Sequence, residues 1–202
     1  MRKILTSSLL AGALLTSSAY ALGQQDGKLY IGVQYGNAVS STSNDYSPQS
    51  VSHTSGSHSN NFSDLAIKAG YGNKGDWNLQ FRVSKVTYKD PIFDTTHKDY
   101  IEVGADFIRE FSYSEDAYPY IKFGIGYGTM SVDGFSSSDT SAVTYSGGLG
   151  VSYQTVKDVY VLGGIDYFYR NWDDLKYSDN TSRTTHDDGV LFYFGVNLQL
   201  TR

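Results

Sequence analysis

The chain has 202 residues, with no Cys, 3 Pro, 21 Gly, 18 Tyr and 10 Phe, and a formal net charge of -5. That length suits one domain of ordinary size, and without cysteine the chain cannot build a disulfide framework, a thiol catalyst, a thiolate metal site or an acylated lipoprotein N-terminus. Its 16 basic residues are spread thinly against 21 acidic ones, so no clustered Lys/Arg face exists and no nucleic-acid partner is expected.

At the N-terminus Arg2 and Lys3 precede the apolar stretch Ile4 to Leu15, and small residues then lead to Ala19-Tyr20-Ala21, a secretory cleavage pattern. The apolar stretch is well short of the ~20 residues needed to span a bilayer as a helix. Residues 1–21 are therefore expected to leave as a signal peptide, and 22–202 to form the mature domain outside the cytoplasm. Loss of Arg2 and Lys3 leaves 14 basic against 21 acidic residues.

From Lys28 onward the chain divides into eight segments of period-2 alternation, the signature of half-buried strands. The first sets Leu29, Ile31, Val33 and Tyr35 against Tyr30, Gly32, Gln34 and Gly36. Leu65, Ile67, Ala69 and Tyr71 alternate with Asp64, Ala66, Lys68 and Gly70 in the second, and Trp77, Leu79, Phe81 and Val83 with Asn78, Gln80, Arg82 and Ser84 in the third. The fourth places Ile101, Val103, Ala105 and Phe107 opposite Glu102, Gly104 and Asp106; the fifth places Ile121, Phe123, Ile125 and Tyr127 opposite Lys122, Gly124, Gly126 and Gly128. In the sixth, Tyr145, Leu149, Val151 and Tyr153 oppose Ser146, Gly148, Gly150 and Ser152. In the seventh, Val161, Ile165, Tyr167 and Tyr169 oppose Gly164, Asp166 and Arg170, with Leu162 and Phe168 blurring the polar side. The eighth alternates Phe192, Phe194, Val196, Leu198 and Leu200 with Tyr193, Gly195, Asn197 and Gln199.

The connections alternate in length. Gly72 to Asp76, Ser112 to Asp116 and Thr155 to Asp158 are short turns, whereas Asn37–Asn61, Tyr88–Lys98, Thr129–Ala142 and Asn171–Asp188 are long, polar and rich in Ser and Asp. Strands joined alternately by tight turns and long loops form an up-and-down meander. A soluble barrel turns its apolar parity inward, and an outer-membrane barrel turns it outward to lipid. Three features favour lipid outside: Gly and charged residues share the polar parity, the chain runs to its end on the last segment, and aromatics mark both ends of the apolar parity. Tyr71, Trp77, Phe111 and Tyr153 fall at the short-turn ends; Tyr35, Tyr127, Tyr145, Tyr167, Tyr169 and Phe192 fall at the long-loop ends. The expected fold is all-β: an eight-stranded antiparallel up-and-down transmembrane β-barrel, integral to the outer membrane, with both termini periplasmic.

The sequence resembles the small outer-membrane β-barrels of Gram-negative bacteria, the OmpA-type and OmpX-like proteins of the porin family, over residues 28–202. Its most specific element is Tyr193-Phe-Gly195-Val-Asn-Leu198-Gln-Leu200, which looks like the C-terminal signal read by the barrel-assembly machinery. Tyr193, Gly195, Leu198 and Leu200 match that pattern; the usual terminal aromatic is replaced by Leu200, and Thr201-Arg202 follow. The resemblance implies outer-membrane lipid, lipopolysaccharide and the assembly machinery as partners, and loops that meet a host or phage ligand.

The inward parity carries Asp64, Glu102, Asp106 and Asp166 against Lys68, Arg82, Lys122 and Arg170. Ionised groups in a narrow lumen must pair or stay hydrated, and eight strands leave an interior that side chains just fill, so a neutral, cross-linked plug is expected. If the turn Ser112 to Asp116 closes symmetrically, facing residues sum to 228, which predicts an Asp106–Lys122 salt bridge with Arg82 joining through Glu102.

No catalytic, cofactor or metal site is expected. His53, His58, His97 and His186 all read as loop residues without ligand spacing, and the adjacent His58-Ser59, although similar to a lipid A deacylase stretch, point apart and lack a supporting carboxylate. The loops read as acidic surface, with Asp133 and Asp139 in the third and Asp173, Asp174, Asp179, Asp187 and Asp188 in the fourth. The favoured function is a non-enzymatic protein that supports envelope integrity and presents its loops for adhesion. A low-conductance channel is the second reading and an outer-membrane lipid-modifying enzyme the third.

Overall fold

The structure, a computed structural model, describes residues 27–47, 54–93, 96–177 and 181–200. The expected leader and its cleavage point lie outside the described residues, as do His53, Asp179 and Thr201-Arg202.

Ten strands form one closed antiparallel sheet: β1 (Lys28–Ser47), β2 (Gly56–Ser59), β3 (Phe62–Gly72), β4 (Trp77–Tyr88), β5 (Asp99–Glu110), β6 (Ala117–Ser131), β7 (Asp139–Val156), β8 (Val159–Trp172), β9 (Leu175–Lys176) and β10 (Ser182–Leu200). Neighbours follow chain order, and β1 closes on β10 from Leu29–Leu200 to Ser47–Ser182. β2 and β3 pair with β1 in a single register, Ser41 with Ser59 and Ala38 with Phe62, so they are one staff of the barrel interrupted at Asn60-Asn61. With β9 a two-residue stub on β10, the barrel has eight staves.

The alternation fixes the faces. Ile67 and Phe194 are 68% and 63% exposed, and the other apolar-parity residues of every strand stand out beside them, while Lys68, Glu102, Asp106 and Asp166 are almost wholly buried. An apolar wall around a polar interior is stable only with lipid outside. Both aromatic girdles stand on this wall. At the short-turn end Trp77 stacks on Phe107 at 4.6 Å, with the Arg109 guanidinium over the Trp77 ring; Tyr35 tilts against Phe194 towards the other end.

The strands outrun the apolar segments. β1, β6, β7 and β10 continue as ladders of Ser, Thr, Asn and Asp well past the last lipid-facing residue. Period-2 hydrophobicity stops where the lipid stops, but backbone pairing needs no apolar face, so strand extends into three of the four stretches read as loops, while the Tyr88–Lys98 stretch is a connection between β4 and β5. His58 on β2 and His186 on β10 are therefore strand residues rather than loop residues; His97 does lie in a connection. Asp187, expected on the loop surface, and Arg183 four residues before it are buried on the inward face of β10.

The register across β5 and β6 also differs from expectation. Asp106 faces Gly124, and Lys122 faces Ile108, so facing residues sum to 230. The Ala117 carbonyl accepts the amides of Tyr113 and Ser114, and the Ser114 hydroxyl accepts the Ala117 amide. This local turn takes Ala117 and Tyr118 out of the pairing with β5, although both still pair with β7, and brings Phe111 opposite Pro119, its amide donating to the Pro119 carbonyl at 2.8 Å. A two-residue slip preserves the face of every side chain, so Asp106 and Lys122 both point inward but do not pair directly.

Candidate functional site

The inward side chains fill the lumen in three tiers. In the middle tier Arg82 on β4 sets Nη1 2.6 Å from Glu102 Oε1 and Nε 3.3 Å from Asp106 Oδ1, bridging two carboxylates four residues apart on β5. Gln80 donates to the second Asp106 oxygen at 2.8 Å. Glu102 Oε2 also accepts from Tyr100 and Thr144, at 2.8 and 2.6 Å. Arg170 on β8 donates to Thr144 and to the Tyr88 hydroxyl, which donates to Asp187 at 2.5 Å. Trp172 Nε1 donates to the same Asp187 oxygen at 3.0 Å. The rings of Phe62, Tyr100 and Phe168 lie within 5.3 Å of the Arg170 guanidinium, favourable in a desolvated site. Charge-assisted hydrogen bonds of this kind are the strong class.

Inward glycines make the room. A side chain at Gly126 would meet the Glu102 carboxylate, one at Gly124 the Asp106 carboxylate, and one at Gly148 the Asp166 carboxylate. The glycine-rich parity is thus the steric complement of the charged one.

The tier at the short-turn end holds Lys122, 2.6 Å from Asp166 and over the Tyr193 ring, whose hydroxyl meets that of Tyr120 at 3.0 Å. Gly75, in the left-handed conformation (φ 74°), closes the β3–β4 turn. The Lys74 beside it reaches Glu110 at 2.9 Å and Ser152 at 3.0 Å, and lies over Tyr160. Lys68 donates to Gln34 at 3.1 Å. Of the eight charges expected to form a network, Arg82, Glu102, Asp106, Arg170, Lys122 and Asp166 are joined in ion pairs. Asp64 and Lys68 make none among the described residues. Sequence reasoning missed Lys74, Glu110, Arg183 and Asp187: they sit at or beyond the ends of the alternating segments, where no apolar neighbour marks the inward parity. They add two charges of each sign, so the inward set stays balanced.

The third tier seals the mouth at the long-loop end. Arg183 on β10 donates to the carbonyls of Ile92 (2.6 Å) and Phe93 (3.2 Å) and to Asn44 (2.8 Å), holding the β4–β5 connection across the opening. Asn60, at the break between β2 and β3, clamps the Asp90 backbone through both atoms of its amide, at 2.9 and 3.2 Å. Phe93 stands edge-on to Trp172, and Phe135 and Tyr177 continue the aromatic cap.

His58, Ser59 and Asp188 line one shallow outer groove, yet among the described residues no hydrogen bond joins them. No group of three His, Asp or Glu among the described residues could hold a metal ion. Tyr193, Gly195, Leu198 and Leu200 lie on β10: Tyr193 and Gly195 point inward, and Leu198 and Leu200 face lipid opposite Ile31 and Leu29.

A closed eight-stave sheet with a lipid-facing apolar wall and a packed polar lumen defines an integral outer-membrane β-barrel. The sequence matches the outer membrane protein beta-barrel domain over residues 7–200, and the chain belongs to that family. Among solved structures it is similar to Neisserial surface protein A (NspA), with 19% identity and a TM-score of 0.57, over 87% of this chain and 100% of that one. It is also similar to the outer membrane protein AlkL, at 12% identity and a TM-score of 0.58, over 87% and 91%. OprG from Pseudomonas aeruginosa aligns at 13% identity and a TM-score of 0.49, over 87% and 97%. At these identities the likeness to NspA and AlkL is one of fold. No curated protein matches the sequence.

Proposed function

We propose that this barrel is a non-enzymatic outer-membrane protein whose lumen is closed by its own charge network, and that it stabilises the envelope and presents its outer strands and loops for adhesion or partner binding. The observation that carries this reading is the three-tier filling of the lumen. Arg82, Glu102, Arg170 and Asp187 occupy the middle, Lys74 and Glu110 the periplasmic end, and Arg183 with the β4–β5 connection the outer mouth. Eight-stranded barrels have interiors that side chains can fill. Outside, exposed Lys89 and Lys98 stand just above the outer girdle, where lipopolysaccharide phosphates would meet them. Secretion with cleavage after Ala21 and delivery through Tyr193, Gly195, Leu198 and Leu200 to the assembly machinery complete the reading.

Planar-bilayer recording of the refolded protein tests it. A silent membrane is expected; steady single-channel openings would replace this function with the low-conductance channel. Turnover of lipid A or phospholipid that vanishes on His58→Ala or Ser59→Ala would replace it with an enzyme.

A further inference from the structure

Lys68 is the one inward lysine that makes no ion pair among the described residues. Its cross-strand neighbours are Gly32 on β1 and Arg82 on β4, neither of them acidic. Its hydrogen bond goes to the neutral amide oxygen of Gln34, and it makes no ion pair among the described residues. Lys68 lines an internal cavity of about 20 Å³ together with Lys74, Lys122, Glu110, Tyr30 and Tyr120. The carboxylates of this tier are engaged elsewhere, Glu110 by Lys74 and Asp166 by Lys122. Three ammonium groups thus face two carboxylates in this tier; of the carboxylates higher in the lumen, Glu102, Asp106 and Asp187 are held by Arg82 and Arg170, and Asp64, four residues along β3 from Lys68, makes no ion pair among the described residues. A buried charge without a counter-charge is costly.

The cavity supplies room for what is missing. Its volume fits one water-sized particle, too little for a phosphate or an organic carboxylate but enough for a monatomic anion. Ammonium, amide and hydroxyl donors line it. Lys74 covers it from the short-turn end, with its side chain one-fifth exposed.

We infer that the periplasmic half of the lumen is a binding site for a single halide ion, held by Lys68 with Lys122 and Lys74. The inference rests on the closed lumen proposed above, which conductance tests separately: a halide can occupy a dead-end cavity in a barrel that passes no current.

Two measurements test it with bromide and chloride as probes. Crystals of the refolded barrel grown in sodium bromide should give an anomalous peak in the cavity beside Lys68 Nζ. In denaturant, the unfolding midpoint should be higher in chloride than in gluconate at equal ionic strength. That difference should vanish in Lys68→Met and persist in Lys176→Met, a surface control. A cavity with no anomalous signal, or an unchanged chloride effect in Lys68→Met, would overturn the site. If Lys68→Met does not fold, the bromide peak in the unaltered protein decides alone.

Discussion

Lys122 on β6 and Asp166 on β8 are joined at 2.6 Å across an intervening strand, because the β7 residue between them is Gly148, which faces Lys122 on one side and Asp166 on the other. The ion pair thus spans three strands in a single cross-barrel row. A side chain at the middle position would occupy the space through which it forms.

Gly148→Ala should therefore destabilise the barrel. Its Cβ would lie 2.1 Å from Asp166 Oδ1 and 2.4 Å from the Ile165 carbonyl, and the second is backbone that cannot swing away. Overpacking of this kind costs about 1–3 kcal/mol. Equilibrium unfolding in lipid vesicles would measure it, and an unchanged midpoint would show that β7 and β8 relax apart freely.

A double-mutant cycle on Lys122→Met and Asp166→Leu should show strong coupling. Each single change strands one buried charge, at about 3–5 kcal/mol, whereas the double change removes both and should restore most of the loss. The same cycle on Lys122 and Asp106 should give a smaller coupling, since Asp106 is bound by Arg82 and Gln80. Equal couplings would favour the symmetric register.

The contrast between those two pairs marks how far the sequence could be read. Alternation identifies which side chains face inward, because one face must meet lipid, and so the eight staves, the girdles and most of the lumen charges were legible. It does not distinguish registers two residues apart, which share every face; that choice was made by the Ser114–Ala117 turn, whose hydrogen bonds leave no mark in the hydrophobic pattern. Nor does it reach past the lipid. Arg183 and Asp187 lie where both faces of β10 are polar, so nothing in their neighbours betrays that one face still points into the barrel.

The outer seal should open when its clamp is removed. Arg183→Ala takes away the donors to the Ile92 and Phe93 carbonyls. Faster amide exchange and easier proteolysis are expected in the β4–β5 connection, with little change in the membrane-embedded strands, whose pairing does not involve Arg183. Protection of that connection equal to the unaltered protein would show that the Asn60 clamp on Asp90 holds it alone.

Topology can be tested from outside the cell. The β6–β7 connection carries exposed residues around Gly134, which takes a left-handed conformation at φ 85°. A protease site placed there should be cut on intact cells, while one placed at Lys157-Asp158, in the tight β7–β8 turn, should be cut only after the outer membrane is opened. The reverse pattern would invert the barrel.

Leu200→Asp should separate assembly from stability. Leu200 faces lipid at the end of β10, opposite Leu29, where the last strand closes on the first. A carboxylate there, close to the periplasmic interface, is expected to cost at most about 1 kcal/mol in the finished barrel. Refolding of the purified variant into vesicles, which involves no other protein, should therefore be nearly normal. In cells the same change also alters the final position of the C-terminal pattern formed with Tyr193, Gly195 and Leu198, and insertion should slow by much more than the refolding rate does. Normal insertion in cells would show that β10 is read there only as a lipid-facing strand. Equal slowing in both settings would trace the whole effect to the weakened Leu29–Leu200 closure.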